Sequence, residues 1–316
     1  MEAEFSPLLV TRKECIAQGI HMLELRDAKG AELPAFTAGS HLTVQTPIGV
    51  RRNYSICSDP ADRHCYQLAI KRDAAGRGGS LSMCDAVSAG ALLPVSAPRN
   101  NFRLAERARD ILFVAGGIGI TPILSMLRHL RHIPDASARL VYLTRNEPGT
   151  AFLAQLRSEF PAQLTVHHDH GDLAQALDLW PLFETPTGAH IYCCGPKGLM
   201  DSVNDMTGHW SSGTVHFESF GVDAAAHAQN TPFRVRLHRS GAVLQVGARQ
   251  SILDVLRQHG QRVPSSCESG TCGSCKTGLL DGEAEHRDMV LAEGDRSGQI
   301  MVCVSRAKSA ELLLDL

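Results

Sequence analysis

The chain has 316 residues, enough for two or three domains. It is 43% hydrophobic and 20% charged with a net charge of −2, which leaves no general basic surface for nucleic acid or an anionic membrane. No apolar run reaches the length of a membrane span. The start Met1-Glu2-Ala3-Glu4-Phe5 lacks the basic residues and apolar core of a secretion signal, so a cytoplasmic protein is expected.

From Phe5 to about Leu104 the chain reads as β-rich. Met22–Arg26, His41–Thr46 and Tyr66–Lys71 alternate in polarity or carry β-branched residues, with Gly, Pro and Asp between them. Several short strands at this spacing predict a small antiparallel barrel. A short helix from Ser80 to about Val87 would be capped by Ser80. Two constellations stand out: Arg52-Asn53-Tyr54-Ser55, and Gly76-Arg77-Gly78-Gly79-Ser80. An arginine, glycine amides and a hydroxyl at a helix start make an anion site, and Tyr54 offers a flat face to a ring. Each motif alone is more often a surface strand or a plain turn; their joint presence carries the argument.

The pattern changes at Asp110. Ile111–Ala115 is a continuous apolar run, as in a buried parallel strand. Gly116-Gly117-Ile118-Gly119-Ile120-Thr121-Pro122 follows, then a helical stretch from Ile123 to Leu130. Strand, glycine turn and helix is how a βαβ unit offers amides to a pyrophosphate, although the turn is not the G-x-G-x-x-G fingerprint. Leu140–Thr144, Leu164–His168 and His190–Cys194 read as further strands, with helices over Phe152–Phe160 and Lys197–Met206. This alternation predicts an α/β domain with a parallel sheet, whose ligands bind at the carboxyl ends of its strands. Thr121, Thr144-Arg145 and Cys194-Gly195-Pro196 fall at such ends. His167-His168-Asp169-His170 suggests a metal, but adjacent histidines on a strand point to opposite faces.

Residues 223–231 are small and polar and read as a linker. Phe233–Leu237 and Val243–Val246 predict a hairpin across Ser240-Gly241, and Ser251 caps a helix that Gly260 ends. Then Cys267, Cys272 and Cys275 fall within nine residues, and Cys303 follows on the stretch Ile300–Val304. This C-x4-C-x2-C…C spacing is the plant-type [2Fe–2S] pattern. Two irons need four thiolates, and Gly270 and Gly273 let the loop turn its amides toward the sulfurs at positive φ. A zinc ribbon would want paired C-x2-C knuckles, and only one pair has that spacing. The other six cysteines (Cys15, Cys57, Cys65, Cys84, Cys193 and Cys194) read as buried small hydrophobes, with only Cys194 in a context that argues for more.

In this order, R-x-Y-S, G-R-G-G-S, G-G-I-G-I-T-P, C-G-P, F-E-S-F-G and the cysteine pattern resemble the phthalate dioxygenase reductase family, over essentially the whole chain. Vanillate demethylase reductase subunits are similar. The resemblance implies an FMN-binding antiparallel β-barrel over 1–104, an NAD-binding α/β domain over 105–222, the linker over 223–231, and a β-grasp ferredoxin-like α+β domain over 232–316. It implies that Arg52, Asn53, Tyr54 and Ser55 meet the flavin ring and ribityl chain, that Ala69, Ile70 and Lys71 line the ring edge, and that Arg77, Gly78, Gly79 and Ser80 hold the FMN phosphate. Gly117 and Gly119 match the pyrophosphate turn, and Thr144, Arg145, Gly195 and Pro196 complete the nucleotide site. Cys194, Thr121 and Phe220 would position the nicotinamide against the flavin. Cys267, Cys272, Cys275 and Cys303 would hold the cluster.

The implied activity is that of a reductase component of a Rieske-type oxygenase, of the aromatic-ring dioxygenase or O-demethylase class. NADH gives a pair of electrons as hydride, a [2Fe–2S] cluster accepts one, and a flavin between them reconciles the two. Plant-type clusters near about −400 mV would pass electrons downhill to Rieske centres at roughly −150 to +300 mV. A monomer with an oxygenase as electron acceptor is expected. Two alternatives stand beside this reading: an FAD-containing NAD(P)H–ferredoxin-type reductase serving another acceptor, and a non-catalytic iron–sulfur redox sensor. Thr144-Arg145-Asn146-Glu147 offers both a cation for a 2′-phosphate and an acid for a ribose diol, so NADH over NADPH rests on the resemblance. Glu268, between two cluster ligands, is a candidate for the surface on which the oxygenase docks.

Overall fold

The computed structural model describes residues 5–74, 76, 78–211, 213–220, 230–265 and 267–316. The chain forms two compact units, Met1–Glu218 and Ser219–Leu316.

The first unit begins with β1 (Phe5–Ala17), β2 (Ile20–Arg26), β3 (Ser40–Gln45), β4 (Arg51–Ser55), β5 (Tyr66–Lys71), α1 (Gly79–Ala86), β6 (Leu92–Ser96) and β7 (Arg99–Asn100). The strands pair antiparallel in the order β4-β3-β6-β1-β2-β5, with β7 on β3. An isolated antiparallel bridge between Ile56 and Leu68 joins the two ends of that order, so the sheet closes as the predicted barrel. Alternation fills its interior with Val10, Leu23, Leu25, Leu42, Val44, Ile56, Leu68 and Ile70. Helix α1 adds Met83 and Cys84 to the same core. The ammonium of Lys13 donates to the carbonyls of Cys84 and Val87, the favoured place for a cation at a helix C-terminus.

The expected cap of α1 is corrected. Gly78 is the N-cap, at φ 80°, and Ser80 lies inside the first turn, its Oγ accepting from the Asp73 N–H at 3.2 Å. Arg77, expected at the phosphate, lies outside the described residues. Cys15 is exposed rather than buried, at a register shift where β1 nears its end.

The chain continues with β8 (Asp110–Gly116), α2 (Ile120–Leu130), β9 (Ser137–Thr144), α3 (Leu153–Glu159), β10 (Leu164–His168), α4 (Trp180–Phe183), β11 (His190–Cys194), α5 (Lys197–Met206) and β12 (Val215–Glu218). The sheet is parallel throughout, in the order β10-β9-β8-β11-β12. From β8 the chain winds outward through β9 and β10, then crosses to β11 on the other side. The gap between the carboxyl ends of β8 and β11 is therefore the topological switch point, where open α/β sheets bind ligands. Helix α2 starts earlier than expected: Gly117–Gly119 forms a 3-10 turn and Ile120, Thr121 and Pro122 are its first residues. Proline is tolerated there because first-turn N–H groups have no intrahelical partner.

The barrel and the parallel sheet share one core. Ile20, Met22, Cys57, Ala69 and Phe102 from the barrel side pack with Ile111, Phe113, Ile120, Ile123, Leu124 and Leu127. The guanidinium of Arg128 on α2 donates to the carbonyl of Cys57 at 2.8 Å and pairs with Glu159 at 3.1 Å. The expected boundary near residue 104 thus falls inside one compact unit.

The second unit contains β13 (Phe233–Leu237), β14 (Val243–Val246), α6 (Ile252–Gln258), β15 (Lys276–Asp281), β16 (Ala284–Glu285), β17 (Gln299–Met301), β18 (Arg306–Ala307) and β19 (Glu311–Leu314). Its main sheet runs β14-β13-β19-β15-β17, with β13 and β19 parallel and the other pairs antiparallel; β16 and β18 form a separate pair. Ile252, Leu253, Val255 and Leu256 pack α6 onto this sheet in the expected β-grasp arrangement. Ser251 caps α6 in a full capping box with Asp254. Arg306 is buried: it lies over the Phe233 ring at 4.9 Å and donates to the carbonyls of Thr231, Gly247 and Gln250. Of the expected linker 223–231, residues 223–229 lie outside the described residues.

Candidate redox and nucleotide sites

The barrel seam makes the first site. Past the Ile56–Leu68 bridge, no ladder joins β4 to β5 among the described residues. Their facing edges, toward Arg52 on one side and Lys71 on the other, are left open to a ring's polar rim. Strand alternation puts Arg52 and Tyr54 on one face, opposite Val44 and Leu42, and Asn53 and Ser55 on the other. Tyr54 is half-buried, and burial pushes its phenol up to about 12, so it stays neutral. Asn53 accepts from the Thr43 hydroxyl at 2.8 Å, and Ser55 is buried. Ala69 and Ile70 turn their side chains into the cores, so only their backbone faces the seam; Lys71 is exposed.

The two motifs of this domain meet here. A Cβ on Gly79 would lie 3.0 Å from Arg52 Nε and 3.1 Å from Arg52 Cγ, so the arginine stem packs closely on Gly79. Gly78 has no side chain to cap α1, and the Arg52 side chain stands beside the first turn. That donor set suits a phosphate monoester.

At the switch point two glycine turns touch backbone to backbone. A Cβ on Gly119 would fall 2.0 Å from the Cys194 carbonyl oxygen; one on Gly195 would fall 2.9 Å from Gly116 Cα. Gly116, which sequence reasoning did not single out, would strike Pro196 Cδ at 2.6 Å. Gly117 sits at φ 52°, and its carbonyl accepts from the Tyr142 hydroxyl at 3.0 Å. Thr121 is 2% exposed and donates to the Ile118 carbonyl at 3.1 Å. Cys194 is fully buried; burial and the nearby Glu218 carboxylate raise its thiol far above the ordinary range, so it is a neutral thiol and no nucleophile.

The residues after β9 divide. Thr144 is buried, its Oγ1 2.7 Å from Thr150 Oγ1 and 2.8 Å from His168 Nδ1, so it holds the loop rather than facing outward. Arg145 is exposed. His167 Nε2 meets the Gln175 carbonyl at 2.7 Å, so both neighbouring histidines have local protein partners. Phe220 is 50% exposed and belongs to the second unit. Two hollows, of about 310 Å³ by Asp59, Arg128 and Glu159 and about 400 Å³ by Cys15, Met22 and Phe152, contain none of these site residues.

In the second unit the four cysteines act on one another in two pairs. The Cys272 thiol draws Cys267 down to about 4 while being raised itself; Cys303 likewise draws Cys275 down. Among the described residues no three His, Cys, Asp or Glu side chains converge on one ion position. Four thiolates are what a [2Fe–2S] cluster requires. The Ser269 N–H points to Cys267 Sγ and the Cys267 N–H to Cys272 Sγ, each at 3.4 Å. Gly270 and Gly273 stand at φ 78° and 77°, and Glu268 also takes a positive φ of 54°. A Cβ on Gly270 would lie 2.7 Å from Val304 Cγ2, so the loop needs glycine there twice over. Cys303 lies in a turn just beyond β17, not on the strand where it was expected. Glu268 pairs with Arg257 of α6 at 2.6 Å.

Residues 235–308 match the 2Fe-2S iron-sulfur cluster binding domain family, and residues 96–211 match the N-terminal domain of dimethylamine monooxygenase subunit DmmA-like proteins. The chain is 57% identical over 314 residues to the phthalate 4,5-dioxygenase oxygenase reductase subunit of Pseudomonas putida, covering 99% of this chain and 97% of the relative. It is 38% identical to the vanillate O-demethylase oxidoreductase of Pseudomonas sp. (strain HR199 / DSM 7063), covering 98% and 99%. A solved structure described as phthalate dioxygenase reductase, a modular structure for electron transfer from pyridine nucleotides to [2Fe–2S], superposes with a TM-score of 0.78 at 56% identity, covering 99% of this chain and 98% of that one. With a relative this similar along its whole length, and the same architecture in a solved structure, the chain belongs to the phthalate dioxygenase reductase family.

Proposed function

We propose that this chain is the reductase component of a multicomponent oxygenase, taking hydride from NADH and delivering single electrons to a Rieske-type oxygenase. When bound, FMN and the [2Fe–2S] cluster turn a two-electron donor into a one-electron supply. The observation that carries the reading is the presence, in one chain, of an arginine-flanked helix start, a glycine-on-glycine switch point and a cysteine loop whose own N–H groups point at Cys267 and Cys272. A sensor with a vestigial nucleotide domain has no use for the second of these.

The protein's own part is placement. Arg52 and the amides of Gly78, Gly79 and Ser80, with Arg77, hold the FMN phosphate. A single terminal phosphate suits this site, which favours FMN over FAD. Tyr54 faces the ring, with Asn53, Ser55 and the β5 backbone from Ala69 to Lys71 along its rim. Gly117 and Gly119 give the pyrophosphate close access to backbone, and Arg145, Gly195 and Pro196 bound the rest of the nucleotide, with Thr144 holding the loop that carries Arg145. Cys194 and Thr121 set the nicotinamide against the flavin, and Phe220 keeps the role that the family resemblance implies for it. Hydride transfer needs no general acid or base from the protein, and the neutral Cys194 thiol suits an apolar ring contact. Cys267, Cys272, Cys275 and Cys303 would hold the cluster through their thiolates.

One chain builds all three sites, so we take the working unit to be a monomer, with domains at 1–104, 105–222 and 232–316 joined by a linker at 223–231. All ten cysteines are free, which fits a reducing cytoplasm, and no helix among the described residues is long and apolar enough to cross a membrane. Stopped-flow mixing of the loaded protein with NADH tests the reading: flavin absorbance bleaches first and cluster absorbance follows. Cys272→Ser is expected to keep NADH oxidation with an acceptor that takes electrons at the flavin, and to lose cytochrome c reduction. Unimpaired cytochrome c reduction by that variant would remove the cluster from the route.

A further inference from the structure

The chain between β16 and β17 carries Asp288, whose side chain is fully buried. A carboxylate taken out of water needs hydrogen-bond donors. Asp288 Oδ2 accepts from the Leu291 N–H at 2.9 Å and the Val290 N–H at 3.2 Å, an Asx-type turn that fixes the backbone from 288 to 291. Oδ1 accepts from the Ser305 hydroxyl at 3.4 Å. That hydroxyl itself accepts from the Arg287 N–H at 3.4 Å, which leaves its own hydrogen for the carboxylate. His286 Nδ1 stands 3.8 Å from Oδ1, too far for a hydrogen bond.

This short segment touches both parts of the cysteine set. The Met289 N–H, inside the turn, donates to the Gly270 carbonyl at 3.0 Å, in the loop of Cys267, Cys272 and Cys275. Ser305 lies two residues beyond Cys303, and its N–H donates to the Met301 carbonyl at 3.0 Å, which closes the turn that carries Cys303. Gly270 is packed between the two: a Cβ there would lie 3.2 Å from Asp288 Cα and 2.7 Å from Val304 Cγ2. The loop with three cysteines and the distant turn with the fourth are thus fixed to one segment. Asp288 shapes that segment with one oxygen and binds Ser305 with the other.

We propose that Asp288 is a positioning residue for the [2Fe–2S] cluster, its carboxylate holding the three-cysteine loop and the Cys303 turn at a set separation. The inference rests on the reading that Cys267, Cys272, Cys275 and Cys303 hold the cluster. The readout is the rate at which the full-length loaded protein gives up iron to a chelator, followed as loss of cluster absorbance. Asp288→Ala removes both oxygens and is expected to release iron about tenfold faster, the usual scale for losing a group that orients metal ligands. Asp288→Asn keeps the shape, an oxygen for the two N–H groups, and an NH2 that the Ser305 hydroxyl can accept from. It should restore release to within about twofold of wild type.

The comparison variant is Val235→Ala, fully buried on β13, which pairs with β14 and β19 and not with the cysteine-bearing segments. It should lose stability without faster release below its Tm. Unchanged release in Asp288→Ala, or equal acceleration in Val235→Ala, overturns the proposal. Equal acceleration in Asp288→Asn overturns it too, since charge rather than position would then be what matters. Should Asp288→Ala fail to fold, Ser305→Ala decides by cutting the bridge from its other end: release about threefold faster is expected, and unchanged release overturns the proposal. A wild-type protein that takes up no cluster overturns the ligand reading itself, a result distinct from any difference between variants.

Discussion

Replacing Gly119 by alanine isolates the backbone contact at the switch point. The residue sits at φ −61°, a conformation every amino acid adopts, so alanine there carries no torsional penalty. Its only cost is the contact. The new Cβ would stand 2.0 Å from the Cys194 oxygen and 2.5 Å from its carbonyl carbon, both backbone atoms of a central strand. Reaching even a tight 3.0 Å requires the turn and β11 to separate by about 1 Å. Overpacking of this kind costs about 3 kcal/mol, at the upper end of the usual range, because no side chain can swing aside. In a unit of this size that lowers Tm by roughly 6–12 °C. The same displacement moves the glycine turn against Cys194, and a misplacement of that order costs about 100-fold in rate. Differential scanning fluorimetry and single-turnover flavin reduction by NADH measure the two effects. Gly198→Ala on α5, where nothing lies within 4 Å, is the control, expected to be neutral or slightly stabilising. A Gly119→Ala protein with wild-type Tm and reduction rate would show that the close approach is not needed.

Two further outcomes follow from the electrostatics. Burial works to raise the Asp59 carboxyl, but its hydrogen bonds to His132 and the Ala61 N–H, with Arg131 nearby, hold it below the usual 3.8. A depressed carboxylate contributes stability that is present above its unfolded pKa and lost as pH falls through the folded one. Chemical denaturation from pH 6 to pH 3 is therefore expected to show stability falling below about pH 4, and less steeply in His132→Gln; identical slopes in the two proteins would dismiss the pair. Glu268→Lys exchanges an exposed ion pair with Arg257 for a repulsion, worth under about 1 kcal/mol in stability. It should change the salt dependence of electron delivery to the oxygenase while leaving NADH oxidation at the flavin unaltered, and an unchanged salt dependence would remove Glu268 from the docking surface.

What could be read in the chain beforehand follows from how local the physics is. The cluster loop was legible because ligand spacing and two positive-φ glycines lie within a few residues of one another. Strands β10 and β11 and helix α5 begin and end where polarity and the Gly195-Pro196 break predict. Gly116 and Asp288 were not legible, since what makes each of them matter lies on another strand's loop. Ser80 was misassigned because a glycine in the left-handed region can occupy the cap position that composition awards to a hydroxyl. Thr144 carried the right address at a strand end, but its hydroxyl is consumed by Thr150 and His168, and no local pattern announces that network.

The shared core of the first unit sets the limits of interchange. Ile20, Met22, Ala69 and Phe102 share one core cluster with residues of α2 and the parallel sheet, so a cut near residue 104 would expose apolar surface on both fragments and leave Arg128 without the Cys57 carbonyl. The flavin and nucleotide portions are therefore inherited, and would have to be transplanted, as one piece. The Ser219–Leu316 unit is different: among the described residues, its core cluster begins at Phe233. In a lineage that shuffles parts, the electron-exporting end is the portable one, and the seam for recombination lies after the nucleotide sheet rather than between the barrel and that sheet.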